Sequence, residues 1–569
     1  MAARSRNIKL LQAQNITAAR VDHLPIIAQY LRKLGLVEIV NKLVPVNMDV
    51  EPGIIVLGAV LDTLSGRSPL YHLERAFEDY DRELLFGQDL PPGYFNDDNV
   101  GRVLDALFAV GTQKIFSALS VSVLQSFSLS TQHVHFDTTS VKLFGDYRNA
   151  NDDDVPFKIT EGYSKDKRPD LKQFVLSLLC VGGNVPIVGK IEDGNASDKK
   201  INHSVLSDVS QHMAQHGIAN DAFIYVADSA MVTEANLAQI SDSPENLFIT
   251  RLPANYKECA RAIQTAVGAN QWVEIGAIAR TPATKNRPNA SYRAHETTVT
   301  LYEKSYRAIV VHSSAHDKRR HKRLERELTA SLKEARAMAA PLKKRLYSCR
   351  ADAEQAAQEL VAQTTQFHQL DIEIIERPRY APGRPSHGAQ RIPVAIKYEL
   401  SATIIKRENV ITRHQEQAGC FVLLSNVPAD WNDGYSAEKI LRTYKEQYGI
   451  ENNFSFLKDD QIVNAIFLKR PERIEALGLI LLIALLVWRL IEHTMRTELE
   501  AADTDLPGWD NKPTRRPTSY MLTWKFRGII VLRIGEERRL AQPLSATQEA
   551  FLKALRVPAS CFFQVEAAV

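Results

Sequence analysis

Apolar positions along this chain change period several times, and each change predicts a change of element. Leu24 to Val37 carries apolar residues at helical spacing, with Gly35 where a short helix can end. Gly53–Leu64 and Val100–Leu119 repeat that spacing, so residues 1–125 read as a mostly helical N-terminal domain. From about 130 the runs become short and β-rich: His133–Phe136, Leu171–Val181, Val185–Glu192, Phe223–Ala227 and Phe248–Thr250. Gly182-Gly-Asn between the second and third predicts a hairpin, and Lys199–His216 an amphipathic crossover helix. The order strand, strand, strand, helix, strand, helix, strand predicts an α/β core over 126–255.

The core pattern then stops until Phe421–Ser425, so 256–415 reads as an insertion. It opens with alternating strands (Thr297–Tyr302, Ala308–His312). A long charged helix follows from His316 to Ala340, broken by Pro341, and a second helix runs to Thr365. Leu324, Leu328 and Leu332 give those helices a contact stripe, and Lys318–Arg323 is a basic cluster at the helix start. Pro378–Pro393 reads as a linker, with strands returning near Val394–Ser401. Residues 416–510 resume the core, and 511–569, with Lys512–Pro517 and Trp524–Arg527, form a tail packed on it. Ala476–Trp488, between Glu475 and Arg489, is about 13 apolar residues. That is too short to span a bilayer and predicts a buried core helix.

Composition narrows the class without choosing a function. At 569 residues, 45% hydrophobic and 24% charged, the chain is globular and needs several cores. A formal net charge of +3 neither requires nor excludes nucleic acid. Cys180, Cys259, Cys349, Cys420 and Cys561 are scattered, with no pair at metal-ligand spacing, which suits a reducing cytosol. No secretory signal follows Met1, and no membrane association is expected.

Chemistry gathers at three places. Asp137 closes the run His133-Val-His-Phe-Asp137, and Asp228 closes Phe223-Ile-Tyr-Val-Ala-Asp228. Each reads as a carboxylate emerging at the C-terminal end of a buried strand, where open α/β sheets place ligands. The third is the segment Tyr444–Lys458, read as one helix starting near Ser436. At about 100° per residue, Tyr444, Gln447, Glu451 and Lys458 fall within roughly 60° of arc. Three converging carboxylates repel unless a cation lies between them, and hard oxygen donors suit Mg²⁺ or Mn²⁺. Taken singly, each aspartate is more often a turn former and a polar stripe is more often a solvated face.

Asp137, Asp228 and Glu451, with Tyr444, Gln447 and Lys458 flanking the last, resemble the DDE triad of bacterial insertion-sequence transposases. The frame is that of the branch marked by a Tyr-Arg-Glu-Lys signature, with Gln447 standing where the family has Arg. Gly162–Gln173 and Gly194–Asp198 are similar to segments of the same group. The resemblance implies an RNase H-like, retroviral integrase-like catalytic core with a large β-plus-helical insertion before the last catalytic residue. It implies two Mg²⁺ ions, with Mn²⁺ able to substitute. Asp137 would bridge both, and Asp228 and Glu451 would each complete one. Tyr444, Gln447, Lys458, Lys165, Arg168 and Lys172 would meet DNA. The partners implied are double-stranded DNA, as terminal inverted repeats and target, and a second copy of the chain in a synaptic dimer, in the bacterial cytoplasm beside the nucleoid. The helical N-terminal domain is the expected reader of DNA ends, against a reading as a structural or dimerising cap. A DNA-binding relative without strand transfer and an RNase H-like nuclease are the alternatives.

Overall fold

The structure, a computed structural model, describes residues 16–566 apart from 67–71, 148–154, 164–167, 206–222, 242–245, 280–287, 384–390, 460–465 and 467. The chain divides into two compact units, Met1–Thr250 with Thr443–Val569, and Arg251–Arg442. The second unit contains the expected insertion and is wider at both ends.

The first unit opens with a strand, Ile16–Arg20 (β1), and seven helices. These are Leu24–Lys33 (α1), Leu36–Leu43 (α2), Pro52–Ser65 (α3), Leu73–Ala76 (α4), Arg82–Phe86 (α5), Asp97–Val110 (α6) and Thr112–Ser126 (α7). Next come His133–Leu143 (β2), Lys172–Val181 (β3), Val185–Glu192 (β4), Ile224–Val226 (β5), Glu234–Ser241 (α8) and Leu247–Arg251 (β6). The later part holds Ala437–Glu446 (α9), Tyr448–Leu457 (α10), Pro471–Ala501 (α11), Leu506–Pro507 (β7), Pro513–Thr514 (β8), Ser519–Lys525 (α12), Ile530–Ile534 (β9), Glu537–Leu540 (β10) and Ala546–Leu555 (α13).

Strands β4-β3-β2-β5-β6 lie side by side in that order. β2, β3 and β4 run antiparallel, whereas β5 and β6 run parallel to β2. The expected hairpin turns at Gly182–Asn184, where Gly183 has φ of +74° and a Cβ would stand 2.7 Å from the His493 ring. The crossover helix is described only as far as Val205, and the rest of Lys199–His216 lies outside the described residues.

Helix α11 is the spine of this unit. Its 31 residues extend well past the expected apolar stretch because both flanking charges find partners. Glu475 accepts from Thr112 Oγ1 at 2.6 Å, and Arg489 donates to Glu492 at 2.7 Å. The helix is long and apolar enough to cross a membrane, but 89% of its most apolar stretch is buried within the molecule. It lies close on β4 through two glycines. A Cβ at Gly189 would stand 2.6 Å from Leu482, and one at Gly478 would stand 2.7 Å from Ile191.

The N-terminal helices do not form a core of their own. One continuous cluster joins Leu24, Leu57, Leu104 and Phe116 to Leu178, Phe454, Leu482 and Phe562. α6 and α11 are joined by Arg473, which donates to both Asp105 oxygens at 2.8 and 2.7 Å. The tail is equally integral, since β1 pairs antiparallel with β9 from Ile16↔Ile534 to Arg20↔Ile530. Arg538 donates to Asp81 at 2.7 Å and to Glu83 at 2.6 Å within the same region.

In the second unit, strands 420–425, 304–313, 291–301 and 273–277 form an antiparallel series, and Phe421–Ser425 pairs with 307–311. The charged helix spans Ser314–Ala339 and breaks at Ala340–Lys344, as Pro341 predicts; a second helix spans Arg350–Ala362. The basic side chains of 318–321 lie outside the described residues. Pro378 differs from expectation. It sits inside the strand His368–Arg379, paired with Ile396 of Ala395–Lys406. His368–Arg379 is the edge of its three-stranded sheet, where a missing N–H leaves no ladder bond unmade.

Candidate functional site

β2 and β5 carry the two aspartates on neighbouring strands, but only Asp228 follows the end of its strand; Asp137 lies within β2, which runs on to Leu143 paired with β3, and does not close it as expected. His133 and His135 pair in parallel register with Ile224 and Val226. Asp137 and Asp228 therefore each lie two residues beyond an aligned pair, on strands about 4.8 Å apart. Both carboxylates are turned onto backbone. Asp137 Oδ1 accepts from the Thr138 N–H at 2.7 Å, and Asp228 Oδ1 accepts from the Ala230 N–H at 3.0 Å, capping a short turn. Thr250 Oγ1 donates to the Asp228 carbonyl at 2.7 Å. Burial pushes the Tyr225 hydroxyl pKa well up, and the charges of Asp228 and Asp137 raise it further, so both acids act on one buried phenol. The next residue of β2, Thr138, donates through Oγ1 to Asp198 Oδ1 at 2.6 Å.

The Glu451 segment differs from the single helix expected. It begins as expected, with the Lys439 N–H donating to Ser436 Oγ at 3.2 Å. It then divides at Gln447 into α9 and α10. The turn tightens there: Gln447 N–H bonds Tyr444 O at 3.2 Å and Ile450 N–H bonds Gln447 O at 3.0 Å. The arc computed for an unbroken helix therefore does not carry across Tyr444–Lys458. Tyr444 is half-buried, Glu451 is exposed, and Lys458 is half-buried as the C-cap of α10. Gln447 is only 9% exposed, and its Nε2 donates to Phe136 O at 3.4 Å. It is placed under the helix and against β2, off the exposed stripe expected of it. An amide fits this place because it supplies a donor without a buried charge.

Sequence reasoning missed two histidines. His133, His135 and Asp137 alternate on one face of β2, the period-2 signal that could have revealed them. Glu446, the last residue of α9, lies 3.6 Å from His133 Nδ1 and 3.8 Å from His135 Nε2. Burial holds His135 below its usual pKa, and its Nδ1 is buried with no hydrogen-bond partner. Burial disfavours the Glu446 anion, but the two imidazoles beside it, His133 and His135, outweigh it. They hold the carboxyl well below its usual range. Glu446 and Gln447 thus fasten the α9–α10 junction to β2 beside Asp137.

A second anchor holds α10. Asn453 Nδ2 donates to Asn184 O at 2.9 Å and to Cys180 Sγ at 3.3 Å, while its Oδ1 accepts from Arg489. Arg489 and Arg496 converge on Glu492 at 2.7 and 3.0 Å. Burial pushes the Cys180 thiol up to about 12, so it stays protonated under α10.

The three expected catalytic acids are not gathered into a ready cage. Among the described residues, no group of three or more His, Cys, Asp or Glu lies close enough to hold a metal ion. Carboxylates without a cation between them repel, and Asp137 and Asp228 turn to backbone N–H groups instead. The donor set nonetheless fits a hard divalent ion. Two carboxylates stand on neighbouring strands, one within β2 and one just past β5, and a third is carried on a helix docked to β2. Of the expected DNA-facing cations, Lys165 lies outside the described residues. Arg168 forms a bidentate pair with Asp170 at 2.8 and 2.6 Å, and Lys172 donates to Asp146 O at 2.5 Å and Tyr147 O at 3.2 Å.

Residues 16–121 match a family model described as a domain of unknown function, DUF4277. That segment corresponds to β1 and helices α1–α7, away from the acids. No curated protein matches the chain.

Proposed function

We propose that this chain is a DDE transposase with an RNase H-like core, cleaving the inverted-repeat ends of an insertion sequence and joining them to target DNA. One observation carries the reading. Asp137 lies within β2 and Asp228 just past the end of the neighbouring parallel β5, in a sheet whose first three strands are antiparallel, with the Glu451 helix fastened to the Asp137 strand. That strand order supports an RNase H-like core, and the acids' position agrees with ligand sites of open α/β sheets.

Asp137, Asp228 and Glu451 would hold Mg²⁺, with Mn²⁺ able to substitute. When bound, the ions supply charge stabilisation to the entering and leaving oxygens of an in-line phosphodiester displacement. The chain's own residues then position the DNA. Lys458, at the C-cap of α10, holds the backbone near the cut, and the Tyr444 ring offers a stacking face to a terminal base. Glu446 and Gln447 fix the angle at which α10 presents Glu451. No side chain need act as covalent nucleophile, since water or a 3′-hydroxyl can attack. Two ends and two active sites imply a dimer on DNA, and such an enzyme would work in the bacterial cytoplasm.

The test is incubation of purified protein with Mg²⁺ and labelled DNA carrying the repeats that flank the coding region. Joined products are expected for the natural chain. Asp137→Asn, Asp228→Asn and Glu451→Gln should each lower cleavage by 10³-fold or more, on the order expected for metal-assisted catalysis, while end binding stays within about threefold. Nicks without joining would favour a nuclease, and a shifted band without cleavage would favour a DNA-binding relative. Equal loss of binding in all three variants would give the acids a structural role.

A further inference from the structure

The C-terminal part of the first unit carries a surface of a different kind. β7 and β8 form a small hairpin whose tip runs through Trp509–Asn511, with Asp510 and Asn511 at φ of +53° and +57°. That turn leaves Trp509 48% exposed. Helix α12 follows, its N-terminus capped by Thr518 Oγ1, which accepts from the Met521 N–H at 3.3 Å. Met521 and Leu522 are buried, whereas Tyr520 and Trp524, four residues apart, share the outer face at 42% and 60% exposure. Lys525 Nζ donates to Asn511 Oδ1 at 2.9 Å and so joins this helix to the hairpin tip.

The surface is tied to the end of α10. Tyr520 Oη donates to Asp459 Oδ2 at 2.9 Å, and its ring meets Trp488 edge-on at 4.9 Å. Asp459 directly follows Lys458. Between 503 and 527 the chain carries five cations, Lys512, Arg515, Arg516, Lys525 and Arg527, against three acids, Asp503, Asp505 and Asp510. Arg515 is engaged by Asp503 at 2.8 Å and by Asp505 at 3.3 Å, exposed Lys512 lies 4.0 Å from Asp510, and Tyr520 occupies Asp459.

We propose that this face, Trp509, Tyr520 and Trp524 with their neighbouring cations, binds single-stranded DNA where a strand leaves a duplex end. Its placement beside the cut rests on the transposase reading. Exposed rings give unpaired bases a stacking platform, and interleaved cations meet the phosphates. A second copy of the chain fits less well, because a two-fold contact would bring like-charged faces together.

The probe is a fluorescein-labelled duplex of arbitrary sequence with a ten-thymidine 3′ extension, compared with the same duplex blunt. Wild type should prefer the extended duplex. The Trp509→Ala/Trp524→Ala variant should lose roughly tenfold or more of its affinity for the extended duplex, on the order of one stacked base, and stay within about twofold on the blunt one. Trp524→Phe should retain the preference, and an unchanged thermal midpoint should show that the double variant is folded. Lys512→Ala with Arg516→Ala should lower the salt slope by roughly 1 to 2. Equal binding of the extended duplex by wild type and the double variant would overturn the proposal. So would a double variant that is monomeric where wild type is dimeric, with DNA affinity unchanged. Because the assay needs neither repeats nor cleavage, loss of the transposase reading in the cleavage test would leave a positive result here standing.

Discussion

Gln447 gives the sharpest test of how the Glu451 helix is seated. Replacing it by Ala removes the donor to Phe136 O, a bond at 3.4 Å and so at the weak end of about 0.5–1.5 kcal/mol. It also removes about one buried methylene, worth about 0.8 kcal/mol. The total is about 1–2 kcal/mol, confined to the α9–α10 junction. A chain of two units does not unfold in a single step, so a local readout is needed. Native-state hydrogen exchange of the α10 amides supplies it, and they should exchange roughly 5- to 30-fold faster. Gln447→Arg restores the residue that the family signature carries, yet here it would bury a guanidinium beneath the helix. A charge taken from water costs several kcal/mol, so exchange in α10 should rise further still, by roughly a hundredfold. Unchanged exchange in Gln447→Arg together with tighter DNA binding would refute the argument. It would mean that residue 447 faces solvent and phosphate.

Three further outcomes are expected. Lowering pH should loosen the same junction. His135 is held below its usual pKa, so the unfolded chain takes up a proton first as pH falls below about 6.5, and stability drops; Glu446 is held low, so its contribution is full above about 4.3 and lost below. Protection of the α10 amides, corrected for the intrinsic pH dependence of exchange, should therefore fall between pH 7 and 5, and His135→Gln should flatten that fall; an equal slope in both would exclude His135 as its source. Gly478→Val would press on Ile191 and should destabilise by about 1–3 kcal/mol, seen as faster exchange in α11, with wild-type protection contradicting the close approach. Lys458→Ala should weaken binding of duplex ends alike for all sequences and lower the salt slope by about 1, as a phosphate contact requires.

What could be read from the residues alone was whatever repeats with a short period. β3, buried at every residue after Lys172, and the Gly182–Asn184 turn announce themselves locally. So do the Pro341 break and the two aspartates that close apolar runs. What escaped depends on partners remote in the chain. Ile16–Arg20 is a five-residue strand of mixed exposure, defined by a mate more than 500 residues away. Pro378 signals a breaker, and only its place on a sheet edge makes it tolerable within a strand. Gln447 shows the same limit within the candidate site. Its period assigned it to the outer stripe with Glu451, but one tightened turn moved it inward onto Phe136. His133 and His135 were visible as alternating residues, yet their role appears only when Glu446 arrives from over 300 residues downstream.

The pairing of β1 with β9 has a consequence for synthesis. Once made, β1 must wait for residue 534 before it is paired, roughly half a minute to two minutes at about 5–20 residues per second. Through that interval the early helices carry the apolar faces that α11 will later cover. Nascent fragments of this polypeptide are therefore expected to lean on chaperones until the last turns are made, and a chain cut short before residue 530 should not accumulate in soluble form.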